Sequence, residues 1–161
     1  MKAGRVVLLI LLAVDLAVAQ TKVSGTVQCG KADQQQSMNV GDRANHSFII
    51  GQGKCTWIKP LEIEGAKTQN GAFTVFSEQS GNTVRDHGYV TDTLDSGDKY
   101  TVRINSTETW SGGKPVSERG TWNFASGTGK LKGIKGKGTF NGKAEGDNML
   151  INVEGEYQLP K

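Results

Sequence analysis

The segments "YTVRINSTETW" and "NMLINVEGEY" carry the strongest constraint on how this chain can fold. In the first, Tyr100, Val102 and Ile104 fall on one face, and Thr101, Arg103 and Asn105 on the other. In the second, Met149, Ile151, Val153 and Tyr157 alternate with Leu150, Asn152, Glu154 and Glu156. A period of two is that of a strand with one buried face. Glycine-containing turn signals separate such runs: Gly51-Gln52-Gly53, Asn70-Gly71, Gly81-Asn82, Ser96-Gly97, Gly112-Gly113, Ser126-Gly127 and Gly146-Asp147. The rhythm predicts about eight or nine antiparallel strands after Gln20 and no helix, with residues 31–45 as a long polar loop. Many short meandering strands in one domain favour a closed barrel, which leaves no sheet edge exposed, over a two-sheet sandwich. The expectation is therefore all-β, a single antiparallel barrel of eight strands.

The N-terminus has a different character. Lys2 and Arg5 precede an apolar run from Val6 to Ala19, ending in the small-x-small triplet Ala17-Val18-Ala19. This is the layout of a cleaved signal peptide over residues 1–19, with the run too short for a comfortable membrane span. A membrane anchor is the competing reading. Residues 20–161 then form the mature domain, secreted or periplasmic, with no membrane span of its own. Without Lys2, Arg5 and Asp15 the chain keeps 17 basic and 15 acidic residues, too even a balance to imply a nucleic-acid partner. Both cysteines, Cys29 and Cys55, lie in the exported part, where an oxidising compartment favours one disulfide between them. The patterns specify no oligomeric state.

Glycines and lysines crowd the stretch "GTGKLKGIKGKGTF", residues 127–140. It does not match either nucleotide-binding glycine fingerprint, and no aromatic is interleaved among its lysines to stack on bases. As a strand it makes sense: Ile134, Gly136, Gly138 and Phe140 share one face, and Lys135, Lys137 and Thr139 the other. Inward glycines would leave room for a large neighbour such as Trp or Tyr. Leu131 joins the inner face if a bulge falls near Lys132-Gly133. With the preceding "TWNFAS", the stretch resembles the Gly-Gly-Thr-Gly-Lys-aromatic-x-Gly pattern of dirigent proteins and the related run of allene oxide cyclases. Ser126 and Leu131 depart from that pattern. Together with "GTW" at 120–122 and "EGEY" at 154–157, it also looks like small exported bacterial barrels without assigned activity. The resemblance implies an eight-stranded antiparallel barrel, and no catalytic residue of either plant family maps onto a position here.

Candidate chemistry is sparse. His46 and His87 are the only histidines, so a histidine-rich metal site is excluded and no metal or cofactor is expected. In "TVRDHGYV", Arg85, His87 and Tyr89 share a face opposite Val84, Asp86 and Val90. The solvent-facing reading of that trio is preferred, with a pocket role for His87 as acid or base as the alternative. His46 alternates with Phe48 and Ile50, which points it inward beside apolar neighbours. Glu62 and Glu64 read as a solvent-facing pair. Glu108 falls on the Tyr100-Val102-Ile104-Trp110 face, where it needs a cationic partner or a place near the barrel end. "DTLDSGDK" is read as a hairpin turn in preference to a calcium loop. No Gly-x-Ser-x-Gly occurs. The candidate ligand-contacting set is His46, Trp57, Arg85, His87, Tyr89, Glu108 and Trp110, with no catalytic assignment. Two functions follow: a non-catalytic exported barrel binding a small apolar molecule or serving a surface or stress role, or a cofactor-free isomerase or cyclase.

Overall fold

The computed structural model describes residues 20–160, so the expected signal peptide at 1–19 lies outside the described residues. Ten strands follow one another: β1 (Thr21–Cys29), β2 (Gln34–Asn39), β3 (His46–Lys59), β4 (Glu62–Ile63), β5 (Ala66–Ser80), β6 (Thr83–Leu94), β7 (Lys99–Ser111), β8 (Lys114–Gly127), β9 (Lys135–Glu145) and β10 (Asn148–Gln158). Eight of them form the expected closed antiparallel barrel, in the order β3-β1-β10-β9-β8-β7-β6-β5, with β5 returning to β3. The alternation read from the sequence fixes which face is inside. Tyr100, Val102 and Ile104 of β7 and Met149, Ile151 and Tyr157 of β10 are buried, and Thr26, Arg103 and Asn152 point outward.

Several glycines expected in turns lie inside strands instead. Gly51 and Gly53 are on the inner face of β3, and Gly71 is on β5 beside a register shift against β6. A Cβ on Gly53 would stand 2.5 Å from the Phe73 ring, and one on Gly71 2.5 Å from the Asp92 carboxylate. These glycines are there because a side chain of the opposing strand occupies their space. The same logic holds for the glycine run, as its strand reading expects. Gly138 and Gly155 pair across β9 and β10, and the Trp122 ring covers both.

Two further corrections concern connections. Leu131 is buried, but through a single 3-10 turn at Gly129–Leu131 that drops it into the barrel end, with no bulge. Residues 31–45 are not all loop. β2 lies end to end with β1 along the same edge of β3, as a strand of six exposed residues. The Cys29–Cys55 disulfide joins directly opposed residues of β1 and β3.

Candidate functional site

The barrel has a packed end and an open end. At the packed end, Leu61 and Ile63 from the β3–β5 connection meet Leu94 of β6 and Leu131 and Ile134 of the β8–β9 connection, all almost fully buried. At the other end lie the β7–β8 and β9–β10 hairpin turns and the segment after Cys29. There Lys31 and Lys114 both approach Asp147, at 3.1 and 3.9 Å, and the pairing with Lys31 holds the Asp147 carboxyl below its usual range.

Between the ends runs a cavity of about 560 Å³. Its wall is apolar: Val27, Phe73, Val75, Val90, Val102, Ile104, Phe124, Phe140, Met149 and Ile151 contribute, with Trp57, Trp110 and Trp122. Strand alternation puts them there, at inward positions of their strands.

Two polar clusters interrupt this wall. The first, towards the open end, consists of Asp86, Glu108 and Glu118 from neighbouring strands β6, β7 and β8. One carboxylate oxygen from each lies within 4.8 Å of the others. Glu108 and Glu118 are directly opposed across β7 and β8. Asp86 accepts hydrogen bonds from the Ser77 and Ser106 hydroxyls at 2.5 and 3.1 Å, and Glu108 accepts one from the Trp110 indole at 2.6 Å. Among the described residues no lysine, arginine or histidine forms an ion pair with any of the three. Burial, followed by the Asp86 charge, pushes Glu108 up to about 7. Burial, reinforced by the Glu108 and Asp86 charges, brings Glu118 to about 7, and burial raises Asp86 as well. Glu108 and Glu118 so placed exchange protons near neutrality, and the oxygens of all three carboxyls are close enough to surround a hard cation.

The second cluster lies deeper. Asp92 and Tyr100 are directly opposed on β6 and β7, and both are almost fully buried, at 3% and 2% exposure. The Trp57 indole donates to Asp92 Oδ1 at 2.7 Å. Burial nevertheless lifts Asp92 to about 6. The Tyr100 hydroxyl has no hydrogen-bond partner in good geometry among the described residues. Burial and the adjacent Asp92 carboxyl raise its pKa well above the ordinary tyrosine value.

Of the residues singled out from the sequence, Trp57, Glu108 and Trp110 line the cavity. Glu108 lies near the open end, as one of its two expected resolutions required, though its neighbours are acids and an indole, not a cation. His46 is not directed inward. It is on the outer face of β3, beneath the 40–45 loop, with its ring nitrogens 2.5 Å from Asp42 and 3.1 Å from Glu78. Arg85, His87 and Tyr89 also project outward, away from the cavity. His87 bonds Asn105, and the Tyr89 hydroxyl accepts from Arg103, whose guanidinium lies 5.5 Å over its ring. Asp86, Asp92, Tyr100 and Glu118 were not among the expected site residues. Parity alone could have found them, since Asp86 and Asp92 keep step with Val84, Val90 and Leu94, and Glu118 with Trp122.

No family model matches the chain. No curated protein matches it. Among solved structures it is similar to a conserved protein of unknown function from Rhodopseudomonas palustris, with 12% identity and a TM-score of 0.51. The match covers 86% of this chain and 98% of that one. At that identity the likeness is one of fold.

Proposed function

We propose that this protein is an exported barrel that holds one small, largely apolar molecule in its interior. The observation that carries the reading is the 560 Å³ cavity, walled mainly by aliphatic and aromatic side chains, with two polar clusters inside and Lys31, Lys114 and Asp147 at its mouth. Such a wall favours apolar ligands through the surface they remove from water. The signal-like leader and the disulfide support export. The resemblance of the glycine run to dirigent and allene oxide cyclase barrels supports a small-molecule role without selecting a reaction.

Titration of the mature chain with N-phenyl-1-naphthylamine, a neutral dye that brightens in apolar surroundings, tests the reading. Saturable one-to-one binding, lost when Val102→Trp fills the cavity in a protein that still folds, is the expected result. Linear, unsaturable fluorescence in the parent protein would overturn it.

A cofactor-free isomerase or cyclase is the second reading. It is favoured by Glu108 and Glu118, both brought to about 7 beside an apolar chamber, where a carboxyl can give and take a proton at neutral pH. Mass spectrometry of a molecule co-purified from the native host and then incubated with fresh protein distinguishes the two. Unchanged mass and structure support storage, and rearrangement supports catalysis.

A further inference from the structure

Among the described polar groups inside the barrel, the Tyr100 hydroxyl stands beside the Asp92 carboxyl without completing a hydrogen bond in good geometry. Its hydroxyl is buried in a side chain with 2% exposure that lines the cavity, and no described residue completes it. A buried hydroxyl without a partner is a standing cost that a ligand can remove. Its cross-strand neighbour Asp92 is also on the cavity wall, with one oxygen bonded to Trp57 and acceptor capacity to spare. The wall therefore sets an O–H donor beside a carboxyl acceptor, the two imperfectly joined, at depth, in largely apolar surroundings.

We propose that the cavity selects a neutral, mostly hydrocarbon molecule bearing a hydroxyl group, an alcohol or a phenol, which docks that hydroxyl between Tyr100 and Asp92. The inference rests on reading the cavity as a ligand site. A hydroxyl is the small neutral group that accepts from Tyr100 and donates to Asp92 at once. A carbonyl or ether satisfies Tyr100 alone. An ammonium brings donors only and leaves the Tyr100 hydrogen without an acceptor. A carboxylate finds Lys31 and Lys114 at the mouth, but at the base it would face the Asp92 carboxyl. The rest of the molecule lies against Val90, Val102, Phe124 and Trp57, where contact with apolar surface supplies most of the affinity.

Calorimetric titration of the mature protein at neutral pH with naphthalene, 2-methoxynaphthalene, 2-naphthol and 2-naphthoate tests this with one ring system and four head groups. The expected order has 2-naphthol binding about tenfold or more tighter than naphthalene, as hydrogen bonds to a buried charged acceptor allow. The methoxy compound should fall between them, and naphthoate should be weakest. Tyr100→Phe should bring 2-naphthol down to the naphthalene level while leaving naphthalene itself unchanged. Equal affinity of the parent protein for naphthalene and 2-naphthol overturns the hydroxyl anchor but leaves the cavity reading intact. A 2-naphthol preference that survives in folded Tyr100→Phe also overturns the anchor. Binding of none of the four overturns the cavity reading and this inference with it. The comparison within the parent protein stands even if the variant does not fold.

Discussion

The two ends of the barrel are built on opposite principles. At the packed end, connections bring Leu61, Ile63, Leu131 and Ile134 into the lumen, and apolar burial closes it. At the open end, exposed ion pairs link Lys31 and Lys114 to Asp147, while three carboxyls gather just inside. Exposed pairs of that kind contribute little. Gathering like charges away from water costs stability and keeps the chemistry available. One end secures the fold, and the other holds what a ligand or a proton would meet.

The sharpest way to break this contrast is at the packed end. Leu131→Ala is expected to lose about 3–5 kcal/mol in urea unfolding, since it hollows out a fully buried site. Gly138→Val should lose about 3 kcal/mol or more, because its Cβ would run into the Glu154 carbonyl and come within 2.6 Å of the Trp122 ring. Losses under about 1 kcal/mol at both positions would remove the claim that this end secures the fold.

Next in size comes the disulfide. Cys29 and Cys55 are 26 positions apart and clasp β1 to β3 near the open end. Replacing both by serine should cost about 3–4 kcal/mol by the loop-entropy relation. The same result would show that the open end depends on a covalent clasp in place of packing. Thiol titration of the unreduced, denatured protein should find essentially no free sulfhydryl.

The acidic cluster gives a smaller effect of opposite sign. Folded pKa values near 7 for Glu108 and Glu118 lie above the ordinary value of 4.5, so folding favours their protonated forms. Their contribution is fully present below about pH 4.5 and is lost as pH rises through 7. Stability should therefore fall as pH rises between those limits. The double change Glu108→Gln/Glu118→Gln should flatten that slope and raise the midpoint at neutral pH. A parent protein whose stability climbs across the same range would contradict the cluster's assigned cost.

Smallest of all, Lys135→Gln with Lys137→Gln should shift stability by about half a kcal/mol, since both lysines face water on β9. A large loss there would mean that the outer lysine row is structural, and the inward-glycine account of the strand would fail.

Much of this architecture is legible from periodicity. The inward faces of β7, β9 and β10 follow from alternation, and with them the positions of Glu108 and Trp110. Glycine is ambiguous, however. At Gly97 and Gly146, with φ of 86° and 61°, it makes turns, whereas Gly53 and Gly71 are strand positions cleared for Phe73 and Asp92. Nothing local separates the two uses, because the side chain that needs the space comes from another strand. β2 was invisible for a related reason. "QQQSMN" has no apolar face, and its pairing is a property of the β3 backbone alone. His46 was misplaced because apolar neighbours suggested an inner face. Phe48 and Ile50 are in fact on the outside, where Phe48 stacks on Phe76 at 5.4 Å. Asp86 and Asp92 are inward although acids are normally assigned to water; Asp86 shares its face with Val84 and Val90 in the sequence, and Asp92 keeps the same parity.

The pairing of β1 with β10 bears on how the molecule comes to exist. Thr21 lies opposite Tyr157, and β10 is inserted between β1 and β9. The first strand of the barrel thus waits for its last, and β1 keeps only a short seam with β3 in the meantime. Contacts so far apart along the chain make for slow folding, because loop closure must precede the contacts that reward it. A nascent chain emerging in order cannot complete the barrel until β10 is free. An arrested chain lacking β10 should remain sensitive to protease where the full-length chain is resistant. Such a topology ties the folded state to completion of the last strand.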